Sequence, residues 1–257
     1  MGTPAANEVR TLFNHKARGW QSKYGPKGKL NSRVGQFAER LSALCPPPGN
    51  VLDLGCGTGE IAAAIGQMGY QVTACDFAEK MMDSARRGHP GTSVKWVCLE
   101  PNWEALPFED ASFDGILASS VFEYLVDVPR VAAELARVLR PGGVLLLTVP
   151  NPGNFVRRLE SWLQPMFLNH HLSLLHRFKR IESYAAYLRL SRNRFAGARW
   201  ESLLTVAGFV ALDKRDFSRD AWRNRAEAPL ILLAVKRVAR AVEGQFVGAA
   251  LRRPMAR

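Results

Sequence analysis

Long apolar runs are missing from this chain. No stretch of 18 or more uninterrupted apolar residues occurs in its 257 residues, which excludes the usual membrane-spanning helix. The opening Met-Gly-Thr-Pro-Ala-Ala-Asn-Glu-Val-Arg has no apolar core of the secretory kind. Ala6 stands where a myristoylation signal needs Ser or Thr. The expectation is a chain that starts and stays in the cytoplasm. Cysteine is scarce: Cys45, Cys56, Cys75 and Cys98 form no Cys-x-x-Cys pair. They indicate neither disulfides nor a zinc site and read as buried thiols in a reducing compartment. Acidic residues are also few, 23 against 35 Lys and Arg, leaving a formal charge of +12. That balance admits nucleic acid, an anionic membrane surface or an acidic small substrate as partner. Its location narrows the choice, because Val51 to Phe122 is net acidic while Lys and Arg gather at the N-terminus, in Arg157 to Arg199 and beyond Lys236. The basic character belongs to the periphery.

What the chain does have is enough apolar material, 47%, for one sizeable core with elaborations. Strand-like and helix-like runs alternate: Val51 to Leu54, Ile61 to Met68, Gln71 to Cys75, Ala78 to Arg86 and Val94 to Cys98. The rhythm continues through Phe113 to Ala118, the helix Val128 to Leu139 and the strand Val144 to Val149, with Pro141-Gly142-Gly143 turning the chain between the last two. Such alternation predicts a parallel sheet covered by helices. After Pro150 it breaks: residues 151–193 are rich in Arg, His, Leu and aromatics without a strand signal. A helix (Arg199 to Ala207) and strands at Gly208 to Leu212 and Leu230 to Val235 follow. The expected division is a helical cap at 1–48, a core at 49–150, a helical lid at 151–193, a return to the core at 194–237 and a basic tail at 238–257.

Chemistry concentrates in Asp53-Leu-Gly-Cys-Gly-Thr-Gly59. A strand ending in an acid, then glycines at alternate positions, then a helix brings backbone close to a ligand, because glycine has no Cβ to obstruct it. The spacing is not the Gly-x-Gly-x-x-Gly of dinucleotide sites, yet Asp76 still ends the second strand.

Four segments in order, Asp53 to Gly59, Asp76-Phe-Ala-Glu-Lys-Met-Met82, Ala105-Leu-Pro-Phe-Glu-Asp-Ala-Ser-Phe-Asp114 and Glu134-Leu-Ala-Arg-Val-Leu-Arg-Pro-Gly-Gly143, resemble the successive motifs of class I S-adenosylmethionine-dependent methyltransferases. The most similar branch is the small-molecule group that includes ubiquinone and menaquinone biosynthesis enzymes. Phe13 to Tyr24 is similar to that group's lead-in helix. The resemblance implies a Rossmann-like, seven-stranded, mostly parallel sheet with helices on both faces, an N-terminal helical cap and a helical insertion after the fifth strand. It implies S-adenosylmethionine as cofactor and no metal. By resemblance, Asp53 orients the ammonium of the cofactor's methionine moiety, Gly55 and Gly57 lie against the cofactor, the helix after Gly59 faces its carboxylate, and Asp76 accepts from both ribose hydroxyls. Cys56, Phe77 and Ser119 complete the expected cofactor neighbours.

Two positions depart from the family pattern. Asn102 stands where an Asp usually accepts from the adenine amino group; its carbonyl can accept too, with less charge assistance. Trp103 beside it either faces the adenine or packs on the core surface. Where many relatives have Glu-His, this chain has Glu123-Tyr124, which removes a base suited to neutral pH. Tyr124 then orients substrate or fills the pocket wall. Glu123, Tyr124 and, within the expected lid, His171 are the candidate catalytic residues; the plainer reading of His171 is a helix-surface histidine in a basic lid.

These features predict a methyltransferase acting by in-line displacement on a hydrophobic or anionic small molecule of quinone, lipid or lipid-linked sugar type. The basic segments 154–180 and the tail are two candidates for peripheral contact with an anionic membrane, at its inner face, with helix packing on the sheet as the alternative for the first and a frayed, solvated terminus for the second. A nucleic-acid methyltransferase and a non-catalytic cofactor-binding partner subunit are the competing classes. Against the former, Ala118-Ser-Ser-Val121 carries no Asn-Pro-Pro-Tyr motif. No motif speaks to the oligomeric state.

Overall fold

The computed structural model describes residues 4–28, 30–151, 158–160, 162, 179–216 and 230–237. Its centre is one seven-stranded sheet in the order β3-β2-β1-β4-β5-β7-β6. The strands are β1 (Asn50–Leu54), β2 (Gln71–Asp76), β3 (Lys95–Cys98), β4 (Phe113–Ser119), β5 (Leu139–Val149), β6 (Phe209–Asp216) and β7 (Leu230–Lys236). The first five pair in parallel, and β7 runs antiparallel between β5 and β6. The composition of β1 explains its central place. Val51, Leu52 and Leu54 are apolar toward both faces, as a strand covered on both sides requires. Asp53 is the exception, and it sits where the strand meets the glycine turn.

Alternation along the strands assigns the two faces. Leu52, Leu54, Leu145, Leu147 and Val149 share one core with Val128, Val131, Leu135 and Val138 of α5 (Val128–Val138) and with Trp200 and Leu204 of α7 (Gly197–Val206). Val51, Val144 and Leu146 turn to the other face, against Phe37 and Leu41 of α2 (Asn31–Leu44), Ile61 and Ile65 of α3 (Glu60–Gln67) and Met82 of α4 (Glu79–Gly88). Helix α5 shows why the sequence folds this way. Its buried residues recur at three- and four-residue spacing, Asp127 caps it by accepting from the Arg130 N–H at 3.0 Å, and a proline occupies its first turn.

β5 starts earlier than the sequence rhythm suggests. Leu139 already pairs with Phe113, and a register shift between Phe113 and Gly115 accommodates the segment before Val144 pairs with Gly115. Pro141-Gly142-Gly143 is therefore a bulge inside the strand and not a turn before it. The thiols also divide: Cys45, Cys56 and Cys75 are buried, but Cys98, at the end of edge strand β3, is exposed, which corrects the expectation of four buried thiols.

The N-terminal segment folds as α1 (Pro4–Lys16), a 3-10 turn (Gln21–Lys23) and α2. Helix α1 lies against α4 and against α6 (Lys179–Leu190). Ala17, just beyond α1, packs on Ala78 and Met81, and Val9 and Leu12 pack near Leu190. The cap is thereby held over the carboxyl ends of β1, β2 and β4. In an open α/β sheet, the place where strand order reverses, here between β1 and β4, is where a ligand crevice forms.

Candidate active site

The glycine turn is set by its backbone. Gly55 and Cys56 both donate to the Cys75 carbonyl, at 2.7 and 3.0 Å, tying the turn to β2. Gly55, Gly57 and Gly59 have φ of 68, 57 and 86°, the left-handed region that glycine occupies without cost. Space matters as much as φ. A Cβ on Gly59 would lie 2.5 Å from Cη2 of Trp96, and one on Gly55 would lie 2.4 Å from Cγ2 of Val121. Gly59→Ala is expected to lower stability by roughly 1–3 kcal/mol, read as a fall in thermal midpoint. Gly35→Ala, in α2 with nothing within 4 Å of the added Cβ, is the control and should be neutral or stabilising.

Asp76 organises the turn from β2. Its Oδ2 accepts from the Gly57 N–H at 3.0 Å and its Oδ1 from the Ala78 N–H at 2.8 Å. Burial raises its carboxyl above the ordinary range, opposed by bonds from Ala78, Gly57 and Phe77. Asp53 is different. It is 2% exposed, and its Oδ2 is buried without a hydrogen-bond partner among the described residues. Burial first, then the Asp76 and Glu60 carboxylates, push it up to about 8, against the relief of a bond from the Ala62 N–H. A carboxylate so placed calls for a cation.

The first turn of α3 is already acidic. Asp53 takes the Ala62 N–H there, and Glu60 opens the helix with both carboxylate oxygens within 2.9 and 2.7 Å of Thr58 Oγ1. Cys56 points away from the crevice: its thiol lies 3.7 Å from the Met82 sulfur, and burial holds it well above its usual range. Only its backbone belongs to the turn. Phe77 packs between two apolar clusters beside the turn.

On the β4 side, Ser119 Oγ and Ser120 Oγ accept from Arg33 Nη1 at 2.9 and 2.8 Å. The tyrosine of the lead-in segment joins this corner. Burial raises the Tyr24 phenol, followed by the pull of Arg33 and the push of Glu60, Asp53 and Cys56. Trp20 also reaches the turn, with its Nε1 3.5 Å from where a Gly57 Cβ would stand. Trp20, Tyr24, Arg33 and Glu60 were not among the sequence candidates. The stretch Phe13 to Tyr24 carried a signal for the two aromatics, whereas nothing local marks Arg33.

Asn102 and Trp103 follow β3. The Trp103 N–H donates to the Glu100 carbonyl at 3.2 Å, its carbonyl accepts from Arg130 at 2.9 Å, and the guanidinium lies 5.2 Å from its ring. Trp103 also packs against the core. Glu123 and Tyr124 lie in the 3-10 turn Phe122–Tyr124 after β4. Glu123 is buried, with Oε2 accepting from Ser191 Oγ at 2.9 Å and its carbonyl accepting from the Arg192 and Asn193 N–H groups. Tyr124 meets Phe13 edge-on with ring centroids 5.0 Å apart, and Tyr187 at 6.5 Å. Lys16 lies 5.8 Å from the Tyr187 ring centroid; burial lowers its ammonium, opposed by Glu123. His171 lies outside the described residues.

A sheet whose switch point holds a glycine turn, a buried unpaired carboxylate and a second acid on the next strand can now be compared with known proteins. A methyltransferase domain family matches residues 52–147. A ubiquinone/menaquinone biosynthesis C-methyltransferase from Desulfotalea psychrophila is 33% identical over 179 residues, 67% of this chain and 70% of that one. The chain belongs to the class I S-adenosylmethionine-dependent methyltransferases. A malonyl-[acyl-carrier protein] O-methyltransferase from Erwinia pyrifoliae is 37% identical over 61% of this chain and 56% of its own, and the match spans about half or less of several other curated relatives. Among solved structures, the magnesium protoporphyrin IX methyltransferase of Synechocystis, with bound S-adenosylhomocysteine, superposes with a TM-score of 0.66 at 19% identity over 89% of this chain and 98% of that one. That likeness shows the fold.

The residues present fit the family's cofactor. S-adenosylmethionine would bring an ammonium to face the unpartnered Asp53 Oδ2, and a ribose diol that a two-oxygen acceptor such as Asp76 would suit. Among the described residues no helix is long and apolar enough to cross a membrane.

Proposed function

We propose that this methyltransferase moves a methyl group from S-adenosylmethionine to a small-molecule acceptor of hydrophobic or anionic kind. The observation that carries the reading is Asp53: a buried carboxylate with an unpaired oxygen at the switch point of a methyltransferase sheet. In this reading Asp53 takes the cofactor's ammonium, Asp76 and Phe77 hold the ribose side, Asn102 and Trp103 border the adenine, and Gly55, Cys56, Gly57 and Gly59 supply close backbone. Ser119 lines the β4 side. When bound, the cofactor supplies an electrophilic methyl group, and the protein's task is to hold the acceptor atom in line with it.

The acceptor side is assigned to the corner formed by the turn after β4, the end of α1 and α6. Tyr124 and Tyr187 supply aromatic walls there, and Lys16 and Arg194 stand 5.8 and 5.5 Å from the Tyr187 ring centroid. Arg194 pairs with buried Glu160 at 2.9 Å, yet its Nη2 is buried without a hydrogen-bond partner among the described residues. Two cations beside aromatic rings support an acceptor that is anionic, apolar or both. Glu123 is assigned to position this corner through Ser191, Arg192 and Asn193. Tyr124 is the group on the described elements best placed to touch the acceptor, and His171 remains a candidate from the expected lid. The similarity to a C-methyltransferase of ubiquinone/menaquinone biosynthesis and to a malonyl-[acyl-carrier protein] O-methyltransferase supports an acceptor of this general kind.

Incubation with methyl-labelled S-adenosylmethionine, followed by separation of lipid, polar-metabolite and nucleic-acid fractions, tests the reading. Label is expected in a lipid or polar small-molecule fraction. Label confined to RNA or DNA would establish the nucleic-acid alternative, and turnover that appears only with an added partner protein would establish the non-catalytic one.

A further inference from the structure

A row of aromatic rings leads away from the glycine turn. Trp20, whose Nε1 reaches Gly57, meets Phe13 with ring centroids 5.6 Å apart. Phe13 meets Tyr124 at 5.0 Å, Tyr124 meets Tyr187 at 6.5 Å, and Tyr187 stacks on Tyr184 at 5.9 Å. Three parts of the chain supply the row: α1 with the turn that follows it, the 3-10 turn after β4, and α6. Rings in contact are ordinarily core, and burial decides against that here. Phe37, Phe122 and Trp200, which do belong to the core, are sealed from solvent, whereas Trp20, Phe13, Tyr124 and Tyr187 each stay partly exposed and Tyr184 is 44% exposed. The row is a wall with an open side.

The far end of this wall carries charge. Lys16, in the last turn of α1, and Arg194, shortly after α6, both stand beside the Tyr187 ring. Two anions nearby are already engaged: Glu160 accepts from Arg194 Nη1 at 2.9 Å and from the Tyr184 hydroxyl at 2.6 Å, and Glu123 accepts from the Ser191 hydroxyl at 2.9 Å. Arg194 has a donor left over. Its Nε donates to the Ser191 carbonyl at 3.0 Å, but Nη2 has no hydrogen-bond partner among the described residues, although the side chain is only 7% exposed. A buried donor left open costs about 1–3 kcal/mol, which an anionic oxygen would remove and a neutral apolar ligand would not. Lys16 adds a second, partly desolvated charge: burial lowers its ammonium, opposed by Glu123.

We infer that the acceptor is a small organic acid on a flat aromatic frame, with its acidic group held by Arg194 and Lys16 and its reacting atom toward the Tyr124 end of the row. The inference rests on the small-molecule reading above and narrows it to one class. Flat rings pack well against the faces and edges of tyrosines, and a guanidinium with a free nitrogen suits an oxyanion, whether carboxylate or phosphate. The order along the wall sets the orientation. Trp20 marks the cofactor end and Arg194 the opposite one, so the acidic group anchors the acceptor and is not the group that receives the methyl.

Three probes of one shape test this by calorimetry on the intact chain saturated with S-adenosylhomocysteine: 2-naphthoate, 2-naphthyl phosphate and the neutral 2-naphthamide. At least one acidic probe should bind saturably and about tenfold or more tighter than the amide; the tighter of the two names the acidic group. Arg194→Lys keeps a charge for Glu160 and loses the open nitrogen, so it should weaken the acidic probe about 10- to 100-fold and leave the amide unchanged. Lys16→Met, which leaves the Glu160 pair intact, should weaken the acidic probe in the same selective way. Both variants should bind S-adenosylhomocysteine as the wild type does, which separates lost recognition from lost folding. Acidic probes that bind no better than the amide would overturn the inference, as would selective binding that survives both substitutions. If the wild type failed to bind S-adenosylhomocysteine, the cofactor reading would fall, and the same probe titrations without it would still decide this inference.

Discussion

Asp53→Asn should make the unliganded protein more stable and at the same time remove its ability to bind cofactor. The wild-type carboxylate is buried, faces Asp76 and Glu60, and leaves Oδ2 without a partner. Its folded pKa of about 8 lies above the ordinary aspartate value. The linkage sign follows from that. Between the unfolded pKa and about 8 the folded state holds a proton that the unfolded state has released, so Asp53 makes stability decline as pH rises across that window. Asparagine keeps an oxygen for the Ala62 N–H and carries no charge. At pH near 8 the variant should gain about 2 kcal/mol, seen as a higher thermal midpoint, and the decline with pH should flatten. Binding moves the other way. The ammonium of the ligand loses its counter-charge, and affinity for S-adenosylhomocysteine should fall by about 100-fold or more. In the wild type, binding below pH 8 requires Asp53 to lose its proton, so affinity should weaken by up to about tenfold per pH unit from 8 toward 6. The same titration in Asp53→Asn should show a shallower slope. A variant that binds as tightly as the wild type would remove Asp53 from the site.

Asp76→Ala should lose cofactor binding as completely, but with the opposite effect on stability. This carboxylate is satisfied: Gly57 and Ala78 donate to its two oxygens, and Phe77 adds a further backbone bond. Removing it leaves N–H groups of the glycine turn unpaired in a buried setting, at a cost of about 1–3 kcal/mol. The turn then loses the brace that holds Gly57 toward β2, and the ribose would lose the acceptor proposed for it. Thermal unfolding and calorimetry on the two variants together give a four-way outcome. Asp53→Asn should be stabilised and Asp76→Ala destabilised, with binding lost in both. If Asp76→Ala were as stable as the wild type and retained activity, the assignment of the turn would be wrong.

The two acids also show how far the sequence could be read. Their positions at the ends of β1 and β2 were legible because a strand-to-helix glycine turn with an acid on the next strand is a local pattern. A mostly parallel sheet covered by helices followed from the alternating rhythm and the family motifs, whereas the strand order β3-β2-β1-β4-β5 came with the structure. The difference between the acids was not legible, because it depends on which backbone N–H groups each carboxylate meets in three dimensions. Arg33 escaped for a similar reason. It lies 20 residues before Asp53 in the chain, on a helix whose pattern reports only Phe37 and Leu41 facing the core, and its serine partners come from a strand far along the sequence. Glu123 illustrates the reverse case. The motif position flagged it for chemistry, and the structure places it in a buried hydrogen-bond network with Ser191 through Asn193. Cys98 reads as a buried strand residue by composition, but β3 is the sheet edge, and an edge exposes what an interior strand would cover.

The turn from Asp53 to Gly59, braced by Asp76, is proposed as a site for S-adenosylmethionine and not for a dinucleotide. Calorimetric titration of the intact chain at pH 8 with S-adenosylhomocysteine, and separately with NAD, tests it most directly. Saturable binding of S-adenosylhomocysteine at one site per chain, lost in Asp53→Asn, with no heat from NAD, is the predicted result. Binding of NAD with none of S-adenosylhomocysteine would contradict it.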